Sequence, residues 1–290
     1  MTQPLVECEG LVHIYKTDEL EVVALQGLDL RVEAGEMVAI AGRSGSGKTT
    51  LMNLLAGVEP PSAGAARVAG HDLARMDDRE RDRYRREVVG YLLQHSLANL
   101  ALDLTVIQNV QVPMIAGGPR RRGRRARTLL ERLGLGAQAR LRPAQLTGAE
   151  AQRLALAVAL ANEPRLLLAD EPTAELDGAN ARELLVDLTS LLRDLGTAAI
   201  MVTHDQQLER HVDRVIQIRD GRTSTERRWL ARPNGDRDVA DELVILDRAG
   251  RLQLPRAHVE KLGLRDRVRV HLEDGSIRIT PAEQNPDADA

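Results

Sequence analysis

The chain has almost no aromatic residues. Its 290 residues hold no Phe, one Trp (Trp229) and three Tyr (Tyr15, Tyr84, Tyr91), so any core has to be built from Leu, Val, Ile and Ala. One cysteine, Cys8, excludes an intrachain disulfide, and no Cys/His grouping has the spacing of a zinc site; a reducing, cytoplasmic setting is expected. No apolar run approaches the roughly 20 residues that a membrane-crossing helix needs. The opening Met1-Thr-Gln-Pro-Leu-Val-Glu7 also lacks the charged-then-apolar order of a signal peptide. Any membrane role is therefore expected to come through a partner. Lysine occurs only at 16, 48 and 261, and a net charge of −3 gives no overall signal of polyanion binding. With 43% hydrophobic residues, the length suits one large α/β domain and a small appendage.

What is present centres on Gly42-Arg43-Ser44-Gly45-Ser46-Gly47-Lys48-Thr49-Thr50, which fills every fixed position of G-x-x-x-x-G-K-[ST]. Glu36–Ala41 reads as a short buried strand and Thr50–Ala56 as the opening of a helix. In that context the glycines let successive N–H groups turn inward onto phosphate oxygens, and the helix adds its positive end. Lys48 supplies a point charge for β- and γ-phosphates, and the Thr49 hydroxyl suits Mg²⁺.

Residues 5–33 read as short strands at 5–8, 11–15, 22–25 and 28–32, separated by turn signals at Gly10, Gly27 and Ala34-Gly35. Tyr15, ahead of the phosphate loop, offers a face to a nucleobase or is a half-buried strand residue. A hairpin is expected over 65–73, a charged surface helix over 75–86, and a buried strand over 88–93 that ends at Gln94. Gln94 sits where a strand-end side chain reaches a metal and an attacking water. Residues 104–142 read as helical. Within them, Arg fills six of the positions 120–127. Without interleaved aromatics that run reads as a solvated helix start or a face near anionic lipid rather than a nucleic-acid contact.

Thr147 or Gly148 caps an Ala/Leu-rich helix that runs to Leu160, and a capped N-terminus is an anion site. Arg165–Ala169 is an apolar strand that delivers Asp170 and Glu171 at its end. Two adjacent acids there are costly unless a cation relieves them, with Asp170 placed for Mg²⁺ and Glu171 for the attacking water. The buried strand 198–202 ends in Thr203-His204-Asp205, and His204 is a candidate γ-phosphate contact.

In this order the residues resemble the ATP-binding subunit of an ABC transporter, over roughly 5–222. Tyr15 matches the adenine-stacking aromatic, Gly42–Thr49 the Walker A loop, and Gln94 the Q-loop. Leu146-Thr147-Gly148-Ala149-Glu150 matches the signature, Leu166–Glu171 Walker B, Ala174–Asp177 the D-loop, and His204 the switch histidine. The wording around these motifs is most similar to the macrolide-export and lipoprotein-release branch. The resemblance implies a P-loop α/β fold: a mixed sheet, an antiparallel β subdomain, and a helical subdomain at about 95–160. It implies ATP and Mg²⁺ as ligands, Glu171, Gln94 and His204 as catalytic residues, and Thr49, Gln94 and Asp170 at the metal. It also implies two copies paired head to tail, Thr147–Glu150 and Asp177 of one facing the other's nucleotide, and an integral-membrane permease as partner. The chain departs from the family at Thr147 (usually Ser), Ala149 (usually Gly), Ala151 (usually Gln), Val158 (usually Arg) and Ala174-Glu175 (usually Ser-Ala). ATP binding is therefore expected, with hydrolysis that is slow or needs a partner.

Residues 223–240 read as a linker and 283–290 as a disordered tail. Between them, 241–282 reads as strand, turn, strand, a short helix at 256–262, and a hairpin around Glu273-Asp-Gly275. That order is similar to the swapped-hairpin module of AbrB-like transition-state regulators, which implies a small β-rich domain that pairs copies or contacts DNA. Two functions follow: a transport ATPase that drives a permease, which the sequence favours, or a soluble ATP-dependent regulator associated with DNA.

Overall fold

A computed structural model describes residues 3–16, 20–115, 119–231, 237–247, 250–265, 267–273 and 275–282. In chain order the elements are β1 (Val6–Lys16), β2 (Glu21–Val32), β3 (Met37–Ala41), α1 (Lys48–Leu55), β4 (Ala63–Val68), β5 (His71–Asp72), α2 (Asp78–Glu87), β6 (Val89–Leu92), α3 (Val106–Gln111) and α4 (Pro119–Arg132). They continue with α5 (Gly148–Ala159), β7 (Leu166–Asp170), α6 (Gly178–Leu195), β8 (Ala198–Val202), α7 (Gln206–Glu209), β9 (Arg214–Arg219), β10 (Arg222–Ala231), β11 (Arg237–Val244), α8 (Arg256–Lys261), β12 (Val268–Glu273) and β13 (Ser276–Pro281).

Three sheets result. One, ordered β2-β1-β4-β5, is antiparallel throughout. The main sheet is ordered β11-β10-β9-β3-β8-β7-β6, and its strands from β9 to β6 run parallel. Parallel strands buried on both faces need continuous apolar runs. That is how β3, β7 and β8 are written, with every residue buried.

The alternation of side chains along β3 divides the core in two. Val38 and Ile40 join α1 and the antiparallel sheet, packing with Leu51, Met52, Leu54 and Leu55. Met37, Ala39 and Ala41 face the other way, towards α5 and α6, onto Leu154, Leu156, Leu184 and Leu188. Tyr84 is the one fully buried aromatic among the largest side chains, and its hydroxyl donates to the Leu55 carbonyl.

Two expectations change. The four short strands anticipated over 5–33 are two long ones, because β1 and β2 continue pairing through bulges at Cys8/Leu11 and Leu11/Val12 instead of turning at Gly10 and Gly27. The stretch expected as a linker is instead sheet over 222–231 and 237–244. There β10 pairs antiparallel with β9 over 222–228 and with β11 over 225–231, so its middle residues find backbone partners on both sides in neighbouring strands. The expected hairpin at the C-terminal end is present as the separate sheet β12–β13, preceded by α8 and a single bridge between Leu246 and Leu252. The expected tail, 283–290, lies outside the described residues.

Candidate functional site

The C-terminal ends of β3, β6, β7 and β8 open onto a cavity of about 380 Å³. Tyr15, Ser44, Gly45, Gly47, Lys48, Thr49, Thr50, Gln94, Asp170, Glu171 and His204 line it, joined by Val22, Val23 and Ala24 of β2. Five separate stretches of sequence, anticipated one by one, thus share one hollow. A larger hollow, about 490 Å³, lies between α4 and α6 and contains none of these residues. Chemistry, not size, locates the site.

The loop after β3 is shaped by glycine. Gly47 holds φ 100, and a Cβ there would stand 2.6 Å from the Ala24 carbonyl oxygen. At Gly42 a Cβ would stand 2.4 Å from the Ile218 carbonyl oxygen. Any side chain at either position would force the loop off β2 and β9. Gly42, Arg43 and Ser46 build the loop without lining the cavity. Lys48 is 8% exposed, and its ammonium donates to the carbonyls of Gly42 at 2.7 Å and Arg43 at 2.9 Å. It is therefore tethered across the mouth of its own loop. Burial lowers its pKa below the usual lysine value, against the opposing pull of Glu171 and Asp170.

Asp170 ends β7 and is 7% exposed. Burial pushes its carboxyl above the usual aspartate range and Glu171 adds to the shift, while Lys48 and His204 oppose it. Glu171 is the next residue. Its N–H donates to the Val202 carbonyl at 2.9 Å, and its Oε1 stands 3.4 Å from Nε2 of His204. Gln94 is exposed just past β6, in a turn that Asn99 folds by accepting from Leu93 N–H at 2.9 Å and donating to the His95 carbonyl at 2.9 Å. Tyr15 donates its hydroxyl to Glu59 at 2.8 Å and meets His13 edge-on, with ring centroids 4.6 Å apart. Its ring lines the same cavity as the phosphate loop.

Five expected site residues lie elsewhere in the single chain. Thr147 N-caps α5 in a capping box with Glu150, and Glu150 also accepts from Gln138 at 2.8 Å. The Thr147 hydrogen bonds hold the Glu150 carboxyl below its usual range. Thr147 and Gly148 are exposed and Ala149 is half-buried. The N–H groups of Thr147 and Glu150 are engaged in that capping box, donating to Glu150 Oε2 at 2.8 Å and to Thr147 Oγ1 at 3.3 Å, and those of Gly148 and Ala149 have no partner within the helix. Asp177 caps α6 by accepting from Ala179 and Asn180 N–H, each at 3.0 Å.

The cavity's donor and acceptor set is specific. Backbone N–H groups and an ammonium suit the phosphates of a nucleotide, and a hydroxyl, an amide and a buried carboxylate are the oxygen ligands a hard divalent cation prefers. A carboxylate that burial leaves above its normal range gains from such a cation. No cluster of three or more His, Cys, Asp or Glu suited to a metal occurs among the described residues, so a cation here would depend on ligand oxygens as well. Residue-by-residue reading missed Gln152, a polar residue on the buried side of α5. Its signal was an amide within a run of Ala and Leu facing inward.

A family model described as ABC transporter matches residues 25–174. The chain is 41% identical over 229 residues to the lipoprotein-releasing system ATP-binding protein LolD 2 of Caulobacter vibrioides, covering 78% of this chain and 100% of that protein. It is 44% identical over 239 residues to the macrolide export ATP-binding/permease protein MacB of Sodalis glossinidius, covering 80% of this chain but 36% of that protein. The chain thus spans about a third of that relative's length. Among solved structures it is similar to a dimeric post-hydrolysis state of the ATP-binding cassette MJ0796 bound to ADP and Pi. That match has 33% identity and a TM-score of 0.71, over 77% of this chain and 98% of that one.

Proposed function

Because this chain belongs to the ABC transporter family and is an ATPase of it, we propose that it is the cytoplasmic engine of an export or extraction system, closing on ATP as a pair of copies and driving an integral-membrane permease. The observation that carries the reading is the single cavity shared by the glycine loop with Lys48, the Asp170-Glu171 pair, Gln94 and His204.

In this reading Tyr15 stacks on the adenine. The N–H groups of the 42–49 loop and the Lys48 ammonium hold the β- and γ-phosphates. Thr49, Gln94 and Asp170 hold Mg²⁺, which supplies charge neutralisation at the phosphate oxygens when bound. Glu171 accepts a proton from water as its oxygen attacks the γ-phosphorus, and the bond from that phosphorus to the bridging oxygen breaks, releasing ADP. His204 holds the attacking geometry through its contact with Glu171 and the γ-phosphate. The α5 N-terminus at Thr147–Glu150, through the N–H groups of Gly148 and Ala149 that the capping box leaves open, serves with Asp177 the nucleotide of the second copy. Ala149 adds a methyl where that phosphate approaches, and turnover is slowed accordingly.

Two surface features support the partners. Leu97 and Leu102, 54% and 52% exposed, flank the turn after Gln94 and offer apolar area to a permease segment. No helix among the described residues is long and apolar enough to cross a membrane, so passage through the bilayer falls to that partner. At the other end, Val268, Val270 and Leu272 pair in register with Pro281, Ile279 and Ile277, so one face of the β12–β13 hairpin is wholly apolar. A two-stranded sheet is marginal alone. We assign this hairpin to an AbrB-like module that holds two copies together. Its opposite face mixes Arg269, Glu273 and Arg278, a charge pattern that offers DNA no uniform basic surface.

The test is Glu171→Gln with ATP and Mg²⁺, read by phosphate release and by molecular mass in solution. A loss of turnover of about 10²–10⁴-fold with an ATP-dependent shift of the nucleotide domains into a closed pair supports the reading. Full turnover overturns the assignment of Glu171.

A further inference from the structure

The helix α5 turns a nearly all-aliphatic face to the core, yet Gln152 within it is 1% exposed. A buried amide is unfavourable unless it is bonded. Its Nε2 donates to the Pro172 carbonyl at 2.8 Å, while its Oε1 has no hydrogen-bond partner among the described residues. The amide is thus committed to one acceptor, and that acceptor belongs to the residue after Glu171.

Glu171 needs to be held. Its φ of 52° is in the left-handed region, which a residue with a Cβ seldom enters, and a following proline disfavours helical backbone still further. A strained residue persists only where its surroundings over-determine it. The ties are Glu171 N–H to the Val202 carbonyl at 2.9 Å, Ala174 N–H to the Glu171 carbonyl at 3.2 Å, Thr173 Oγ1 to Asp205 at 3.4 Å, and Gln152 to Pro172. Among these, Gln152 alone comes from the helix whose N-terminus carries Thr147–Glu150. The next residue, Arg153, anchors α5 on its other side, to Asp187 at 2.7 Å and Glu183 at 3.3 Å.

We infer that Gln152 is a positioning residue whose amide fixes the Glu171–Pro172 backbone, so that the state of the α5 N-terminus is transmitted to the Glu171 carboxylate of the same chain. The inference rests on the reading that Glu171 takes the proton from water. It adds a path inside one copy: contact at Thr147–Glu150 moves α5, and Gln152 carries that movement five residues along the helix to the site that the copy itself builds.

The chemistry of the acceptor makes this testable. Pro172 offers only a carbonyl oxygen, so a donor must face it. Gln152→Leu keeps the size and removes the donor. Gln152→Glu donates while protonated and repels the carbonyl once ionised, and burial raises the pKa of a carboxyl in that place. Wild type, Gln152→Leu, Gln152→Glu and Glu171→Gln are compared as full chains for kcat and KM with ATP and Mg²⁺, and for binding of a fluorescent ATP analogue, from pH 6 to 9. The expected result is a kcat at least fivefold lower in Gln152→Leu with ATP binding within twofold of wild type. In Gln152→Glu the ratio of kcat to wild type is highest at pH 6 and falls with rising pH. The two proteins differ in ionisable groups only at position 152, so the ratio reports the introduced carboxyl together with its coupling to its neighbours. A smaller fall in Gln152→Leu, a parallel loss of ATP binding, or a ratio flat with pH overturns the inference. If Glu171→Gln turns over at the wild-type rate, the role of Glu171 fails. If it is inactive while Gln152→Leu is not slowed, only the role of Gln152 fails.

Discussion

His204 and Glu171 meet across the ends of neighbouring strands, with Nε2 of one 3.4 Å from Oε1 of the other. The parallel register that sets Asp170 opposite Val202 brings them together, since Glu171 follows β7 by one residue and His204 follows β8 by two. The carboxylate therefore has an imidazole beside it on one side and the Lys48 loop within the same cavity. Variants at Lys48 and Asp170 probe this cavity, and one at Ala149 probes the α5 N-terminus outside it.

Lys48→Ala removes the ammonium that bridges the Gly42 and Arg43 carbonyls. A hydrogen bond to a charged group contributes about 1.5–3 kcal/mol, so ATP affinity is expected to fall on the order of 10- to 100-fold. Equilibrium titration with a fluorescent ATP analogue measures this. Unchanged affinity would place the phosphates elsewhere.

Asp170 carries a pH signature of unusual sign. Its folded pKa is raised above the unfolded value, first by burial and then by Glu171. The ionised form therefore opposes folding above the folded pKa, and that opposition disappears as pH falls below the unfolded one. Asp170→Asn is expected to raise the Tm of the nucleotide-free protein at pH 7.5, by about 2–4 °C for each kcal/mol relieved. The gain should vanish towards pH 4, while ATP turnover with Mg²⁺ is lost. Thermal melts at the two pH values decide it, and a lower Tm for the variant at pH 7.5 would show that the carboxylate is stabilising where it stands.

Ala149→Gly is expected to move stability and activity in opposite directions. Removing the methyl from the first turn of α5 costs helix propensity of up to about 1 kcal/mol, so Tm falls. The same change clears the approach to the open N–H groups at the α5 N-terminus, and steady-state phosphate release should rise at least threefold. Equal turnover in both proteins would show that the methyl is harmless to the phosphate contact.

The site's parts were legible because each is a local arrangement with a local cause. A strand, a glycine loop and a helix in sequence specify a phosphate cradle, and an apolar run that ends in Asp170-Glu171 specifies a buried strand with acids at its tip. The cap of α5, read as Thr147 or Gly148, is equally local; Thr147 takes it, with Glu150 completing a capping box. What the sequence concealed was pairing. The stretch 223–240 carries turn-forming and charged residues that read as a linker, yet β10 and β11 find partners in β9 and in each other, and long-range hydrogen bonds override local composition. Gly10 and Gly27 read as turns for the same reason, although the partner strand carries β1 and β2 straight through them.

By itself, then, the sequence determined which chemical groups exist and in what local setting: the ammonium, the hydroxyl, the two carboxylates, the capped helix end and an aliphatic core. Only the tertiary structure decided which of them meet. It brought Tyr15, Gln94, Glu171 and His204 around one cavity, kept Thr147–Glu150 and Asp177 outside it, and joined Gln152 to Pro172 across 20 residues. The physical reason is that strand order and register are set by hydrogen bonds and packing between segments far apart in the chain, and no local pattern of residues encodes the distance between two of them.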